Sequence, residues 1–439
     1  NIMAANPSIQ LGTDGNWAIK EDNLLAYKKD GNRFFNKEFD FSRGSLATFV
    51  GENGLIQESA TNTPRIDFTN NATGHLLLEP QRQNIFTDSE ALTYFLARPN
   101  ATTSSVSITN PKGESGAVKF IPDSGTGGNR SISKNLTGLS GLHTFSVFAK
   151  KDELRYLFLR IRNNPWDMAV FDLQNGVISD FSTNNQIVAD SPKIENYGNG
   201  WYRCSATFDP SQSDIAGQLF FSFSADNTGS VTSQFDGDGT SGLYLWGAQI
   251  EAGSYPTSYI PTSGSAVTRS AEVCNNSGSE QDFNDSEGVL YAEIAALADD
   301  GTFRLISLDG GHGNDLRLGY RNTSNAIYYQ VRSGDVSQAF QIYTTTDVKQ
   351  FHKVAVLYQQ NNFKLFINGV NVLSDPFGIT PVGLNDISFD LKSNALFYGK
   401  VKSLAVFNEA LTDDELQQLT GPEYNSFAAL AAAYNYTVI

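Results

Sequence analysis

Side chains that could bind a ligand are concentrated between residues 317 and 332, where arginines and tyrosines recur every few positions. Flat aromatic rings can stack on sugar rings, while a few polar groups at the edges fix the orientation of the ligand. This composition predicts a glycan-binding face, with cross-strand packing on a sheet as the alternative for any single residue. The predicted ligand-binding residues are Arg317, Tyr320, Arg321, Tyr328, Tyr329 and Arg332, together with Trp166 in a separate turn-like stretch.

Two loops rich in glycine and oxygen-bearing side chains are candidate cation sites. The first runs from Asp309 to Asp315, and the second, Asp236-Gly-Asp-Gly-Thr240, lacks the acidic order of an EF-hand. Glycines relax the backbone, so that oxygen atoms can converge on Ca²⁺. Ca²⁺ is therefore the one candidate cofactor, with plain solvated loops as the alternative. The candidate metal ligands are Asp309, Asn314, Asp315, Asp236 and Asp238.

Catalytic patterns are missing from the sequence. The four histidines are far apart, and no Gly-x-Ser-x-Gly elbow accompanies them. Glycosidases use two carboxylates that face one cleft, whereas Glu293 stands alone in its strand-like run. No catalytic residue is predicted, and the protein is expected not to be an enzyme. Carboxylates distant in sequence could still meet in space, so a polysaccharide-degrading enzyme remains an alternative.

Composition indicates a mainly β protein. The 439 residues include 38 Gly, 30 Phe and 18 Tyr but only 2 Met, which favours short strands and many turns over helical bundles. A net charge of −16 opposes electrostatic binding to nucleic acid or to anionic membranes. No apolar run approaches the roughly 18 residues of a membrane span. We therefore expect neither nucleic-acid binding nor membrane insertion.

The two cysteines, Cys204 and Cys274, have no zinc-type spacing around them. A buried thiol at Cys204, within a strand, is the preferred interpretation, and a Cys204–Cys274 disulfide is the alternative.

The chain divides into five predicted parts. They are an irregular N-terminal attachment segment (1–85), a β-sandwich like those of carbohydrate-binding modules (86–270), a Gly/Ser-rich linker (271–286), a jelly roll (287–421) and a C-terminal tail (422–439). Strand-like runs in the second and fourth parts alternate apolar with polar residues, as half-buried antiparallel strands do. The predicted fold is mainly β, with two antiparallel β-sandwich (jelly-roll) domains in tandem.

The last sandwich has the clearest local signals. Asn368-Gly369, between two apolar runs, predicts a type I′ hairpin, because that turn needs φ > 0 at both central residues. Thr412 and Glu415 form a capping box for a short helix over 411–419. This order of elements resembles the concanavalin A-like, laminin-G-like domain family over about 288–421. The resemblance implies a two-sheet sandwich that binds glycans or proteins.

A second resemblance rests on ordered blocks between residues 41 and 270. The blocks include Phe41-Ser-Arg43, Thr63-Pro-Arg65, Leu76-Leu-Leu-Glu-Pro-Gln-Arg82, Asn199-Gly-Trp-Tyr-Arg203, Trp246-Gly-Ala-Gln-Ile-Glu251 and Val267-Thr-Arg269. They are similar to the phage head spike fibre and tail-associated protein family. That resemblance implies a virion surface protein that binds host surface glycan and other virion proteins and forms a homo-oligomer, a trimer by family analogy. A purely structural virion protein that binds no glycan is the remaining alternative.

Overall fold

The computed structural model describes residues 6–92, 96–97, 100–125, 130–161, 167–182, 186–212, 218–230, 236–392, 394–424, 426–433 and 436–438. Its strands pair in antiparallel ladders and form two separate sandwiches. The prediction of a mainly β fold is therefore confirmed. Among the described residues, neither helix has the length or the apolarity needed to span a bilayer.

The first part of the chain is rich in strands. Its strands, numbered in chain order, are β1 (Ile9–Leu11), β2 (Ile19–Lys20), β3 (Asn23–Asp30), β4 (Arg33–Ser42), β5 (Ala47–Val50), β6 (Ile56–Ser59), β7 (Ile66–Asp67), β8 (His75–Leu78) and β9 (Arg82–Asn84).

The middle of the chain forms a sandwich of two six-stranded sheets, which we call the inserted sandwich. One sheet has the order β10-β13-β20-β15-β16-β17 and the other the order β11-β12-β21-β14-β19-β18. Apolar side chains such as Phe145, Leu157, Phe171 and Phe223 fill the space between them. The strands are β10 (Leu96–Ala97), β11 (Ala101–Thr109), β12 (Ser115–Pro122), β13 (Ile132–Thr137), β14 (His143–Lys151), β15 (Tyr156–Ile161), β16 (Asp167–Asp172), β17 (Val177–Ser182), β18 (Lys193–Asn196), β19 (Trp201–Phe208), β20 (Gln218–Asp226) and β21 (Leu243–Ala252).

Most strands in the rest of the chain belong to the C-terminal sandwich. A five-stranded sheet with the order β28-β27-β26-β25-β32 packs against a twelve-stranded sheet. The elements are β22 (Val267–Arg269), β23 (Val273–Asn275), β24 (Glu287–Ala296), β25 (Arg304–Asp309), β26 (Asp315–Tyr320), β27 (Ala326–Ser333), β28 (Val336–Thr344), β29 (His352–Gln359), β30 (Asn362–Ile367), β31 (Val370–Asp375), β32 (Asp386–Ser388), β33 (Gly399–Phe407), α1 (Asp413–Thr420) and α2 (Phe427–Ala433).

The N-terminal strands belong to the C-terminal sandwich, so the predicted irregular segment is wrong for residues 9–42. β1 pairs with β33 through Ile9 and Val406, and it also pairs with β3. β4 pairs with β23 through Phe41 and Cys274, inside the predicted linker. The side chains of Ile9 and Phe41 are buried in the same core as those of the C-terminal strands. Because the partner strands are hundreds of residues away, no local pattern reveals this pairing.

The local signals of the last sandwich are confirmed. Asn368 and Gly369 have φ of 49° and 83° and connect β30 to β31. Thr412 accepts a hydrogen bond from the Glu415 amide, and the Glu415 carboxylate accepts one from the Thr412 amide, which completes the capping box of α1. Both cysteines are free and buried, Cys204 in the core of the inserted sandwich and Cys274 in that of the C-terminal sandwich. The thiol interpretation is thus confirmed for Cys204.

A buried ion-pair network lies where the two sandwiches meet. Arg65 forms ion pairs with both Glu79 and Glu272. Arg43 pairs with Glu272 at 2.8 Å, and Arg269 pairs with Glu79 at the same distance. All five side chains are almost fully buried, and a charge is retained there only when it is paired. Four of the five, all except Glu272, lie in the ordered sequence blocks between residues 41 and 270. The blocks therefore supply residues that join the sandwiches.

Candidate functional site

The predicted tyrosines divide between the two faces of the five-stranded sheet. Tyr320 and Tyr329 are buried in the core of the C-terminal sandwich, so their prediction as surface ligand contacts is wrong. Consecutive strand residues point to opposite faces, and Tyr328 and Tyr329 therefore could never share one surface. Tyr328 points to the outer face of the sheet, as do Arg317 and Arg332, but its neighbours cover its ring, which is only 3% exposed.

Tyr328 is part of a compact cluster of rings and a guanidinium group on that face. The guanidinium carbon of Arg321 lies 4.8 Å from the ring centre of Phe303 and 4.6 Å from that of Tyr328. The Phe340 ring approaches Tyr328 edge-on, with ring centres 5.8 Å apart. Phe303 and Phe340 are 41% and 45% exposed. We call these four residues the platform.

A row of polar side chains runs beside the platform. The Tyr328 hydroxyl donates to Gln330 Oε1 at 2.6 Å, and Arg317 Nη1 donates to the same oxygen at 3.4 Å. Arg317 also donates from Nε and Nη2 to the two carboxylate oxygens of Asp315, at 2.6 and 3.0 Å. Burial raises the pKa of Tyr328, so its hydroxyl remains a donor at neutral pH. The row fixes the orientation of the Arg317 guanidinium beside the exposed rings.

Arg332 lies at the far end of this row. Its Nη2 donates to Asp335 Oδ1 at 2.9 Å, and its Nη1 lies 3.7 Å from Asp315 Oδ2. Asp315 is therefore flanked by two arginines. The structure thus brings together four of the six predicted residues of this region, Arg317, Arg321, Tyr328 and Arg332.

The calcium ligands predicted in the first loop have other partners. Asp309 accepts a hydrogen bond from the Gly311 amide and lies 3.5 Å from Lys392 Nζ. The side-chain oxygen of Asn314 accepts from the amides of Gly334 and Val382, so it connects three loops. Within the described ranges, no group of three or more His, Cys, Asp or Glu side chains is arranged to hold a metal ion.

The second predicted calcium loop is in the other sandwich. Asp238 Oδ1 accepts hydrogen bonds from the amides of Thr240 and Ser241, and its Oδ2 accepts from the Ser241 hydroxyl. The Ser241 hydroxyl and these amides lower the pKa of Asp238. Asp236 is exposed. Asp238 thus stabilises a turn. Trp166, the remaining predicted contact, lies outside the described residues, and its role stays a prediction.

Sequence reasoning missed the two exposed phenylalanines of the platform. Phe340 lies on β28, opposite Gln330 on β27, and reaches Tyr328 diagonally. The hairpin turn at Gly334-Asp335, with φ of 56° and 66°, fixes this register. Counting back from such a turn could have placed Phe340 on the outer face, although a bulge after Val331 shifts the count by one. Phe303 precedes β25 and carries no comparable signal.

No curated protein matches this chain in sequence. Among solved structures it is similar to the CBM40 of Ruminococcus gnavus IT-sialidase, at 17% identity over 34% of this chain and 94% of that one, with a TM-score of 0.28. It is also similar to domains LG4-5 of the mouse laminin alpha1 chain, at 12% identity over 64% of this chain and 88% of that one, with a TM-score of 0.23. A third similar structure is Trypanosoma rangeli sialidase, at 11% identity over 95% of this chain and 68% of that one, with a TM-score of 0.27. TM-scores this low do not establish a shared function.

The family comparison applies to the C-terminal sandwich. Residues 275–417 match the family described as the concanavalin A-like lectin/glucanases superfamily, Laminin_G_3. The matched segment contains the whole platform and ends within α1. The resemblance of this part of the chain to concanavalin A-like, laminin-G-like domains is therefore confirmed.

Proposed function

We propose that this protein is a non-catalytic adhesion protein that binds host surface glycan through the platform. The observation that carries the proposal is the position of Arg321 between Phe303 and Tyr328, beside the exposed Phe340 ring. Exposed aromatic rings offer a surface on which a sugar ring can stack, and neighbouring guanidinium groups donate hydrogen bonds to its oxygens. The platform lies in a segment with a lectin-like family match, which supports a binding role.

Glycan arrays followed by isothermal titration calorimetry test this site. We expect Arg321→Ala and Phe340→Ala each to weaken glycan binding about five- to thirtyfold, because each removes a contact worth roughly 1–2 kcal/mol. Phe34→Ala is a suitable control, since Phe34 is 64% exposed but lies on the β3–β4 hairpin of the other sheet. Equal loss in all three variants, or in none, would refute the platform as the site.

The same samples separate binding from hydrolysis. A non-catalytic binder leaves the polysaccharide intact, so we expect no new reducing ends and no unsaturated sugars after prolonged incubation. Release of either product by the wild-type chain would favour the polysaccharide-degrading alternative.

We further propose that the protein works on the surface of a phage virion, as a fibre or spike subunit. The ordered blocks between residues 41 and 270 support this role, and a homotrimer that contacts other virion proteins is the expected assembly. Size-exclusion chromatography with light scattering measures the oligomer, and a compact monomer at micromolar concentration would contradict it. Electron microscopy of particles labelled with an antibody against this chain tests the location.

A further inference from the structure

A partly open cavity of about 90 Å³ lies between the two sandwiches. β18 and β19 of the inserted sandwich form one wall, and residues of β5 and β7 form another. Leu297 and Lys400 of the C-terminal sandwich close the third side. Every wall thus comes from a different part of the chain, an arrangement common for ligand sites between packed units.

A buried guanidinium group in this cavity has an unused donor. Arg203 is 3% exposed, and its two terminal nitrogens donate to the Thr257 carbonyl at 2.7 Å and to the Ser146 hydroxyl at 3.0 Å. Its Nε has no hydrogen-bond partner in the described part of the chain. A buried donor without a partner costs free energy, so such a group indicates a missing acceptor.

Three basic and three acidic side chains line the cavity, and the acidic Glu79 is neutralised by Arg65 and Arg269, at 2.9 and 2.8 Å, so one positive charge is left in excess. Glu195 pairs with Lys193 at 2.7 Å, and Asp67 accepts hydrogen bonds from the amides of Val50 and Thr69. Lys400 makes no side-chain hydrogen bond or ion pair within the described residues. Lys400 and Arg203 thus contribute cationic donors, and the nearby Tyr197 hydroxyl adds a neutral one. This set of donors suits a carboxylate.

A groove of about 310 Å³ continues from the cavity, since both are lined by Val50, Thr69 and Tyr197. Four asparagines line this groove. Asn53 and Asn196 use their side-chain oxygens to accept from backbone amides, and no hydrogen bond from their Nδ2 groups occurs within the described part. Amide donors beside an aromatic ring are suited to the hydroxyls of neutral sugars. The four are Asn53, Asn70, Asn196 and Asn199.

We propose that the cavity and the groove together form a second glycan-binding site, which takes a carboxylate-bearing sugar residue in the cavity and neutral sugar residues along the groove. The cavity has room for only a few water molecules, at about 30 Å³ each, so it receives the carboxylate end of one residue and not a whole oligosaccharide. The inference extends the proposed glycan binding to acidic glycans, and it uses none of the platform residues.

Titration calorimetry of the full chain tests the site with four probes: glucuronate, a tetrasaccharide that ends in glucuronate, and the neutral counterparts of both. We expect the charged probes to bind and the charged tetrasaccharide to bind more tightly. Lys400→Met should weaken binding of the charged tetrasaccharide about tenfold or more, because it removes a charge-assisted hydrogen bond. Lys402→Met is the matched control, since Lys402 lies on the same strand but pairs with Glu293 at 3.1 Å.

A second variant, Tyr197→Phe, removes one hydroxyl and keeps the ring, so thermal unfolding near that of the wild type is expected together with weaker binding. Absence of binding by both charged probes at millimolar concentration would overturn the proposal, as would equal binding by Lys400→Met and the wild type. Lys400→Met should weaken binding of the charged tetrasaccharide by the same factor in the Arg321→Ala background as in the wild-type background. Disappearance of this effect in the Arg321→Ala background would assign these probes to the platform and refute the junction site.

Discussion

At the scale of single residues, the outer face of the five-stranded sheet carries one acid with an unusual pKa. Burial raises the pKa of Asp386 to about 6, and the nearby carboxylates of Asp309, Asp390 and Asp40 add to the effect. The pKa of Asp386 in the unfolded chain lies near 3.8. Between pH 3.8 and about pH 6, the folded state therefore binds more protons than the unfolded state. The contribution of Asp386 to stability therefore falls as the pH rises from about 4 to about 6 and stays low above that range.

We expect Asp386→Asn to raise the free energy of unfolding by about 1 kcal/mol at pH 8 and to change it little at pH 4. The amide can still accept the hydrogen bond from Ser388, so the local structure is kept. Urea unfolding at both pH values measures the difference. A gain of equal size at pH 4 would show that the charge of Asp386 is not the cause.

The core position of Tyr329 leads to a second expectation. Its hydroxyl is buried without a hydrogen-bond partner among the described residues. Tyr329→Phe should therefore change stability by less than about 1 kcal/mol, whereas Tyr329→Ala should cost about 3–5 kcal/mol through the cavity that it leaves. Denaturant unfolding of the two variants checks both values. Strong destabilisation by Tyr329→Phe would indicate a partner for the hydroxyl and contradict this description.

At the scale of elements, α1 depends on its capping box. Thr412→Ala removes the side chain that accepts from the Glu415 amide, and we expect a loss of about 1 kcal/mol. Thermal unfolding measures it, with Thr412→Ser, which keeps the oxygen, as the control. Similar losses in the two variants would mean that packing of the Thr412 methyl group, and not the cap, stabilises this helix end.

Elements with local signals could be predicted from the sequence, while pairings between distant segments could not. The Asn368-Gly369 turn and the α1 cap depend on neighbouring residues, so their types and spacing suffice. β1 lies in the sheet only because β33, almost 400 residues away, presents a matching edge. In the site, composition is enough to predict Arg321 and Tyr328. Composition also places Tyr329 on the surface, which is wrong because successive side chains along a strand point to opposite faces of the sheet.

At the scale of the whole molecule, the inserted sandwich interrupts the C-terminal sandwich. β1 lies between β33 and β3, so a fragment that starts at residue 271 lacks six strands of the twelve-stranded sheet, namely β1–β4, β7 and β8. Such a fragment would expose the apolar side chains that pack against Ile9, Leu24 and Phe39. We expect it to aggregate or to lack a cooperative transition. A well-dispersed NMR spectrum from this fragment would contradict the interrupted architecture.

The junction network should also contribute strongly to stability. Glu272→Gln leaves Arg43 and Arg65 buried with one carboxylate fewer, so we expect a loss of about 3–5 kcal/mol. Glu423→Gln is the control, because its ion pair with Lys353 is exposed and should contribute less than about 1 kcal/mol. Calorimetric unfolding compares the two variants. Equal small effects would show that the network does not join the sandwiches energetically.

Glycan binding at the platform is the central claim, and hydrogen–deuterium exchange with a bound neutral oligosaccharide from the glycan array tests it most directly. We expect slower exchange in β27, in β28 and around residues 303 and 321, with no comparable change in the β3–β4 hairpin. Protection confined to other segments, or cleavage of the oligosaccharide during the measurement, would contradict the claim.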